Sequence, residues 1–101
     1  MRWKFPEHWD VLTCVNHLQR KLILCSICYY EFNFSPVSDF QYDEWSHQLV
    51  ELMRECENVE ESTYWYVYHD FDGSTGYHLY GRLNDKDKEY LTFLAQVLGR
   101  R

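Results

Sequence analysis

Apolar residues at Val11, Val15, Leu18, Leu22, Cys25 and Tyr29 recur at alternating steps of four and three, and the same rhythm restarts at Tyr42, Trp45, Leu49, Leu52 and Cys56. A repeat of that period lays its members along one side of an α-helix, so the pattern predicts two amphipathic helices. The first should run from Val11 to about Tyr30 or Phe32. Pro36 prevents the helix from continuing, which makes Asn33 to Val37 a short connector. Ser38 followed by Gln41 is a capping-box pattern, with Asp39 in the first turn where the helix dipole favours a carboxylate. A second helix over roughly residues 39–56 follows, and two helices so joined form an antiparallel hairpin.

Further on, the acidic run 57–62, with Glu57, Glu60 and Glu61, reads as an exposed connector. Thr63 to Phe71 is dense in rings and β-branched residues, the composition of a strand. Asp72-Gly73-Ser74-Thr75-Gly76 would then be its turn and Tyr77 to Leu83 its partner. A helical reading of this block stays open. Asn84 can cap a last helix with Asp85 and Asp87 in its first turn and Tyr90, Leu91, Leu94, Val97 and Leu98 as its buried face; Gly99 would end it, and Arg100-Arg101 suits the negative end of its dipole. The expected fold is mainly α: a helical hairpin plus a C-terminal helix, with a short β-hairpin at about 63–83, in one domain spanning residues 1–101. Whether residues 1–9, with Trp3, Phe5 and Trp9, pack as an irregular arm is left undecided by the sequence.

A chain of 101 residues has room for one core, and aromatics at 19% supply large buried areas and flat stacking surfaces from few side chains. A formal charge of -6 argues against non-specific binding to nucleic acid, which needs clustered Lys and Arg to release counterions. No apolar run approaches a membrane span. No leader-like segment precedes Cys14, Cys25, Cys28 and Cys56, which points to a reducing, cytoplasmic setting. Cys25 and Cys28 form a C-x-x-C, but Leu22, Ile23, Leu24 and Ile27 around them place it in an apolar helix, where burial is expected instead of metal or redox use.

Asp39 and Asp43 are four apart and Tyr42 is three from Asp39, so all three share one side of the second helix's first turn. Tyr29 and Tyr30 close the preceding helix, and the short connector brings both sets to one end of the hairpin. Rings can sandwich a planar heterocycle, and carboxylates can accept hydrogen bonds from ribose hydroxyls or an amide. Spacing alone leaves open the plainer reading, in which the tyrosines belong to the core stripes and the aspartates to the cap and surface.

The run Tyr29-Tyr30-Glu31-Phe32-Asn33-Phe34-Ser35-Pro36-Val37-Ser38-Asp39-Phe40-Gln41-Tyr42-Asp43-Glu44-Trp45, followed by Leu49 and Leu52, resembles the small N-terminal subdomain of bacterial NAD-dependent DNA ligases. The shared features are an aromatic pair, a short proline-containing connector and an Asp-x-x-Tyr-Asp helix start; the resemblance covers residues 12–56, about half the chain. In that family the subdomain is a helical pair that closes over NAD and recognises its nicotinamide mononucleotide (NMN) half. By position, the resemblance implies that Tyr29, Asp39, Tyr42 and Asp43 contact the nicotinamide and its ribose. Tyr30 stands where the ligases often have histidine, which keeps a ring and changes the polar contact.

Nothing from Thr63 onward looks like the ligase's continuation. The ligases attach AMP to the lysine of a Lys-x-Asp-Gly motif; the nearest string here, Asp70-Phe71-Asp72-Gly73, has a carboxylate where the amine must be. Ligation by this chain alone is therefore not expected. His69, Asp70 and Asp72 beside Ser74 and Thr75 read more simply as a turn, His8, His17, His47 and His78 lack ligand spacing, and no glycine-rich phosphate loop is present. Neither a catalytic nor a metal site is expected, and no cofactor is required.

Two functional expectations follow. The first is a non-catalytic accessory protein of a phage or other mobile element that binds or sequesters a nicotinamide nucleotide, NAD or NMN. The second is an acidic, ring-bearing inhibitor or regulator that binds a host or defence protein.

Overall fold

Leu22 to Cys28 are buried without a break, so the middle of the first helix has no solvent side. A computed structural model describes residues 3–73 and 79–99. It contains α1 (Val11–Glu31), α2 (Asp39–Glu55), a 3-10 turn (Val59–Glu61), α3 (Trp65–Tyr68), α4 (Leu79–Arg82) and α5 (Asp85–Gly99), and no strand among the described residues. Helix α1 is the axis. The helices α2, α4 and α5 and the 3-10 turn all pack on it, and α3 reaches across to α4 and that turn. Ile23, Leu24 and Ile27, which lie off the expected stripe, are buried as well, in keeping with a helix that has neighbours on several sides.

Each helix end has a chemical cause. Asp10 caps α1, its Oδ1 accepting from the Thr13 amide at 2.8 Å and from the Thr13 hydroxyl at 2.6 Å. At the other end Asn33 adopts φ 54°, the left-handed conformation that asparagine tolerates better than most residues. The Cys28 carbonyl accepts there from both the Phe32 amide at 3.2 Å and the Phe34 amide at 2.9 Å. Ser38 then caps α2 as expected, its Oγ accepting from the Gln41 amide at 3.1 Å. Asn84 caps α5, accepting from the Asp87 amide at 2.8 Å.

The segment expected as a β-hairpin has no strand where it is described; it holds two short helices, α3 and α4, with turns between. Tyr64, Val67 and Tyr68 are buried and Phe71 is half-buried, a spacing of three, one and three that belongs to a helix; ring and β-branched content suggested a strand, and periodicity outweighs it. The partner segment forms α4, with Leu79 and Leu83 in the core. Arg82 joins the two short helices, donating to the Val67 carbonyl at 3.0 Å and to both oxygens of Asp70. Those hydrogen bonds hold the Asp70 carboxyl below its ordinary range. Gly73 adopts φ 88°, and a Cβ there would meet His47 and Val50 side-chain carbons at 3.2 Å, so the backbone turns hard against α2. Ser74, Thr75, Gly76, Tyr77 and His78, and with them the rest of the expected turn, lie outside the described residues, as do Arg100 and Arg101.

Helix α5 is rotated from the expected face. Leu91 and Ala95 are fully buried, Leu94 and Leu98 partly so, while Tyr90 and Val97 are exposed. The small Ala95 permits close approach to α1, where the Cys28 thiol donates to the Ala95 carbonyl at 3.7 Å. The acidic connector is exposed at Glu57, Glu60 and Glu61 as expected, but Ser62 is buried.

The N-terminal arm docks across α1 and α2. The Trp3 amide donates to Gln48 Oε1 at 2.8 Å and Gln48 Nε2 donates back to the Trp3 carbonyl at 2.9 Å. The Trp3 ring lies 4.7 Å from His17 and 5.2 Å from Trp45, with the Lys21 ammonium 5.3 Å from its centre. Burial, helped by Arg20 and Lys21, pushes the His17 imidazole below its ordinary range, so it sits neutral among Trp3, Phe5 and Trp9. All four cysteines are buried free thiols, with Cys25 and Cys28 inside α1. Among the described residues no helix is long and apolar enough to cross a membrane.

Candidate functional site

The left-handed turn at Asn33 and the Ser38 cap let the chain reverse within seven residues, 32–38, between α1 and α2. A cleft of about 390 Å³ opens at that tip. Its buried floor is Cys25 and Ser26, and Ser35, Pro36 and Val37 of the connector close one side. All five residues singled out from the sequence line it: Tyr29 and Tyr30 from α1, and Asp39, Tyr42 and Asp43 from α2.

Their environments differ. Tyr29 is 51% exposed and Tyr30 46%, so neither serves the core, although Tyr29 continues the apolar stripe of α1. The two rings stand 4.9 Å apart at 84°, edge to face, presenting a corner of aromatic surface instead of two parallel plates. Tyr42 is half-buried, its hydroxyl hydrogen-bonded to Ser26 Oγ at 3.0 Å. Burial pushes the Tyr42 phenol up to about 12, with Tyr30 and Asp43 adding to the effect. At neutral pH it is therefore a protonated hydroxyl, available as a hydrogen-bond donor or acceptor at the edge of the floor. Asp39 and Asp43 are exposed on the rim, one helical turn apart.

Cys25, Ser26, Ser35, Pro36 and Val37 were not anticipated as lining residues. Ser26 precedes Tyr29 by three and Tyr30 by four, and Cys25 precedes Tyr29 by four, so helical spacing placed both on the tyrosine side of α1. Burial raises the Cys25 thiol to about 11, which leaves it protonated and poorly nucleophilic.

Elsewhere, Asp70 is held by Arg82 and His69 packs edge-on against Trp65 at 6.3 Å, while Ser74 and Thr75 lie outside the described residues. Among the described residues no three His, Cys, Asp or Glu side chains gather as metal ligands. A second, shallower groove of about 790 Å³ runs along α5 beside Tyr80, Lys88, Tyr90 and Phe93. No family model, curated protein or solved structure matches the chain.

Proposed function

We propose that the tip cleft recognises the nicotinamide and ribose half of NAD or NMN, and that the protein is a non-catalytic accessory module, of phage or mobile-element type, that binds or sequesters such a nucleotide. The observation that carries this reading is the convergence of Tyr29, Tyr30, Asp39, Tyr42 and Asp43, from two helices, on one cleft of about 390 Å³. Tyr29, Asp39, Tyr42 and Asp43 are the contacts implied by the resemblance to the NAD-recognition subdomain of the ligases, and Tyr30 stands where those often have histidine. The exposed tyrosine corner offers stacking surface to a flat ring. The Tyr42 hydroxyl is matched to a carboxamide, and the two rim carboxylates to ribose hydroxyls. A nucleophile for nucleotidyl transfer has no counterpart in Asp70-Phe71-Asp72-Gly73.

Calorimetric titration with NMN, NAD and ADP-ribose tests the reading. Binding is expected for NMN and NAD and not for ADP-ribose, which lacks the nicotinamide. Tyr42→Ala and Asp43→Ala should each weaken NMN binding by roughly tenfold or more, the loss of one or two good contacts, with the helical circular dichroism unchanged. Silence with every nicotinamide compound, or equal heat from ADP-ribose, would overturn it.

A different observation favours a second reading, a regulator that docks on a host or defence protein. On α5, Tyr90, Phe93 and Val97 are 50%, 60% and 47% exposed and share one side of the helix. Under this reading a photo-crosslinker at position 97 captures one specific protein, and Phe93→Asp in the same protein abolishes capture while leaving nucleotide titrations unchanged. Capture that survives Phe93→Asp would exclude this face.

A further inference from the structure

The cleft carries an uneven charge. Two carboxylates, Asp39 and Asp43, stand on its rim, and among the described residues that line it none is Lys, Arg or His. The last turn of α1 holds no basic side chain, and the one basic residue in the last turn of α2, Arg54, lies at the far end of that helix. Lys21 is one turn below Cys25 on α1, but its ammonium sits over the Trp3 ring. The positive end of the α2 dipole is already engaged by the Ser38 cap, which takes the Gln41 amide, and by Asp39 in the first turn.

Among the described residues, a phosphate in this cleft would meet two carboxylates and no lining counter-charge. A planar cation would meet the same carboxylates together with tyrosine rings, whose faces attract positive charge. Oxidised nicotinamide riboside is such a cation, because its ring nitrogen is quaternary. Its 1,4-dihydro form has nearly the same outline and no charge.

Resting on the reading above, we infer that the cleft selects its ligand by positive charge on the ring and gains nothing from phosphate, so that oxidised nicotinamide riboside is the preferred unit. The 5′ substituent, phosphate or dinucleotide, projects into solvent. At half-exposed sites two carboxylates and one ring face amount to roughly a tenfold preference for the cation.

The test is titration of the full chain with oxidised nicotinamide riboside, its dihydro form and NMN. The riboside should bind roughly tenfold more tightly than the dihydro form and at least as tightly as NMN. The double change Asp39→Asn with Asp43→Asn should bring the two redox forms to parity; Asp43→Asn alone, at an exposed position, should narrow the gap without disturbing the fold. Added salt should weaken the riboside more than the dihydro form. Equal binding of the two redox forms, or clearly tighter binding of NMN than of the riboside, would overturn the charge selection while the nicotinamide reading stands. Failure of all three ligands to bind would remove both.

Discussion

Tyr68→Ala should lower the free energy of unfolding by about 3–5 kcal/mol, the usual cost of emptying a large aromatic site in a core. Tyr68 heads the fully buried side chains. Its ring packs edge-on against Phe71 at 5.0 Å and its hydroxyl donates to the Gln19 carbonyl at 2.7 Å. Tyr68→Phe keeps the packing and removes only the hydrogen bond, so its cost should be about 0.5–1.5 kcal/mol. Against a total stability of about 5–15 kcal/mol for a small domain, the alanine variant should be marginally folded and the phenylalanine variant comfortably so. Urea unfolding followed by circular dichroism separates the two. An alanine variant as stable as the phenylalanine one would mean that residues 64–71 do not dock on α1 as described.

Gln19→Met should cost about 2–6 kcal/mol, even though it nearly conserves volume. The amide of Gln19 is fully buried and serves two groups across the fold: Nε2 donates to Ser62 Oγ at 3.2 Å and Oε1 accepts from the Tyr64 amide at 3.3 Å. The thioether replaces neither contact, so a buried N–H and a buried hydroxyl lose their partners, at about 1–3 kcal/mol each. The loss should also be local. Hydrogen exchange at the Tyr64 amide should accelerate more than exchange within α2, since α2 makes no use of this contact. Unchanged stability in Gln19→Met would show that the junction between α1 and residues 62–64 is held by apolar packing alone.

The hairpin and its cleft are legible along the chain because every signal involved is local. Steps of three and four mark α1 and α2, Pro36 and the Ser38 cap bound the reversal, and the spacing of Asp39, Tyr42 and Asp43 puts them on one side of a turn. The floor of the cleft was harder to see, because Cys25 and Ser26 look like ordinary members of a buried helix until the connector is folded over them.

Residues 63–83 show where composition misleads. Rings and β-branched residues suit strands, yet Tyr64, Val67, Tyr68 and Phe71 carry helical spacing, a signal that runs against their residue types. On α5 the difficulty is different. Two apolar stripes coexist, one through Leu91 and Ala95 and one through Tyr90, Phe93 and Val97, and hydrophobicity alone favours the larger side chains.

Helix limits, caps and the nearness of the tyrosines to the aspartates thus follow from neighbours within about a turn of one another, where backbone sterics and side-chain spacing act without help. Which side of α5 turns inward, how many partners surround α1, and that the N-terminal arm straps to Gln48 are long-range choices. They were made by fit between surfaces distant in the chain: Ala95 seats against Cys28 where a tyrosine ring would hold the helices apart, and the Leu22–Cys28 stretch is buried on every side because several elements pack on α1.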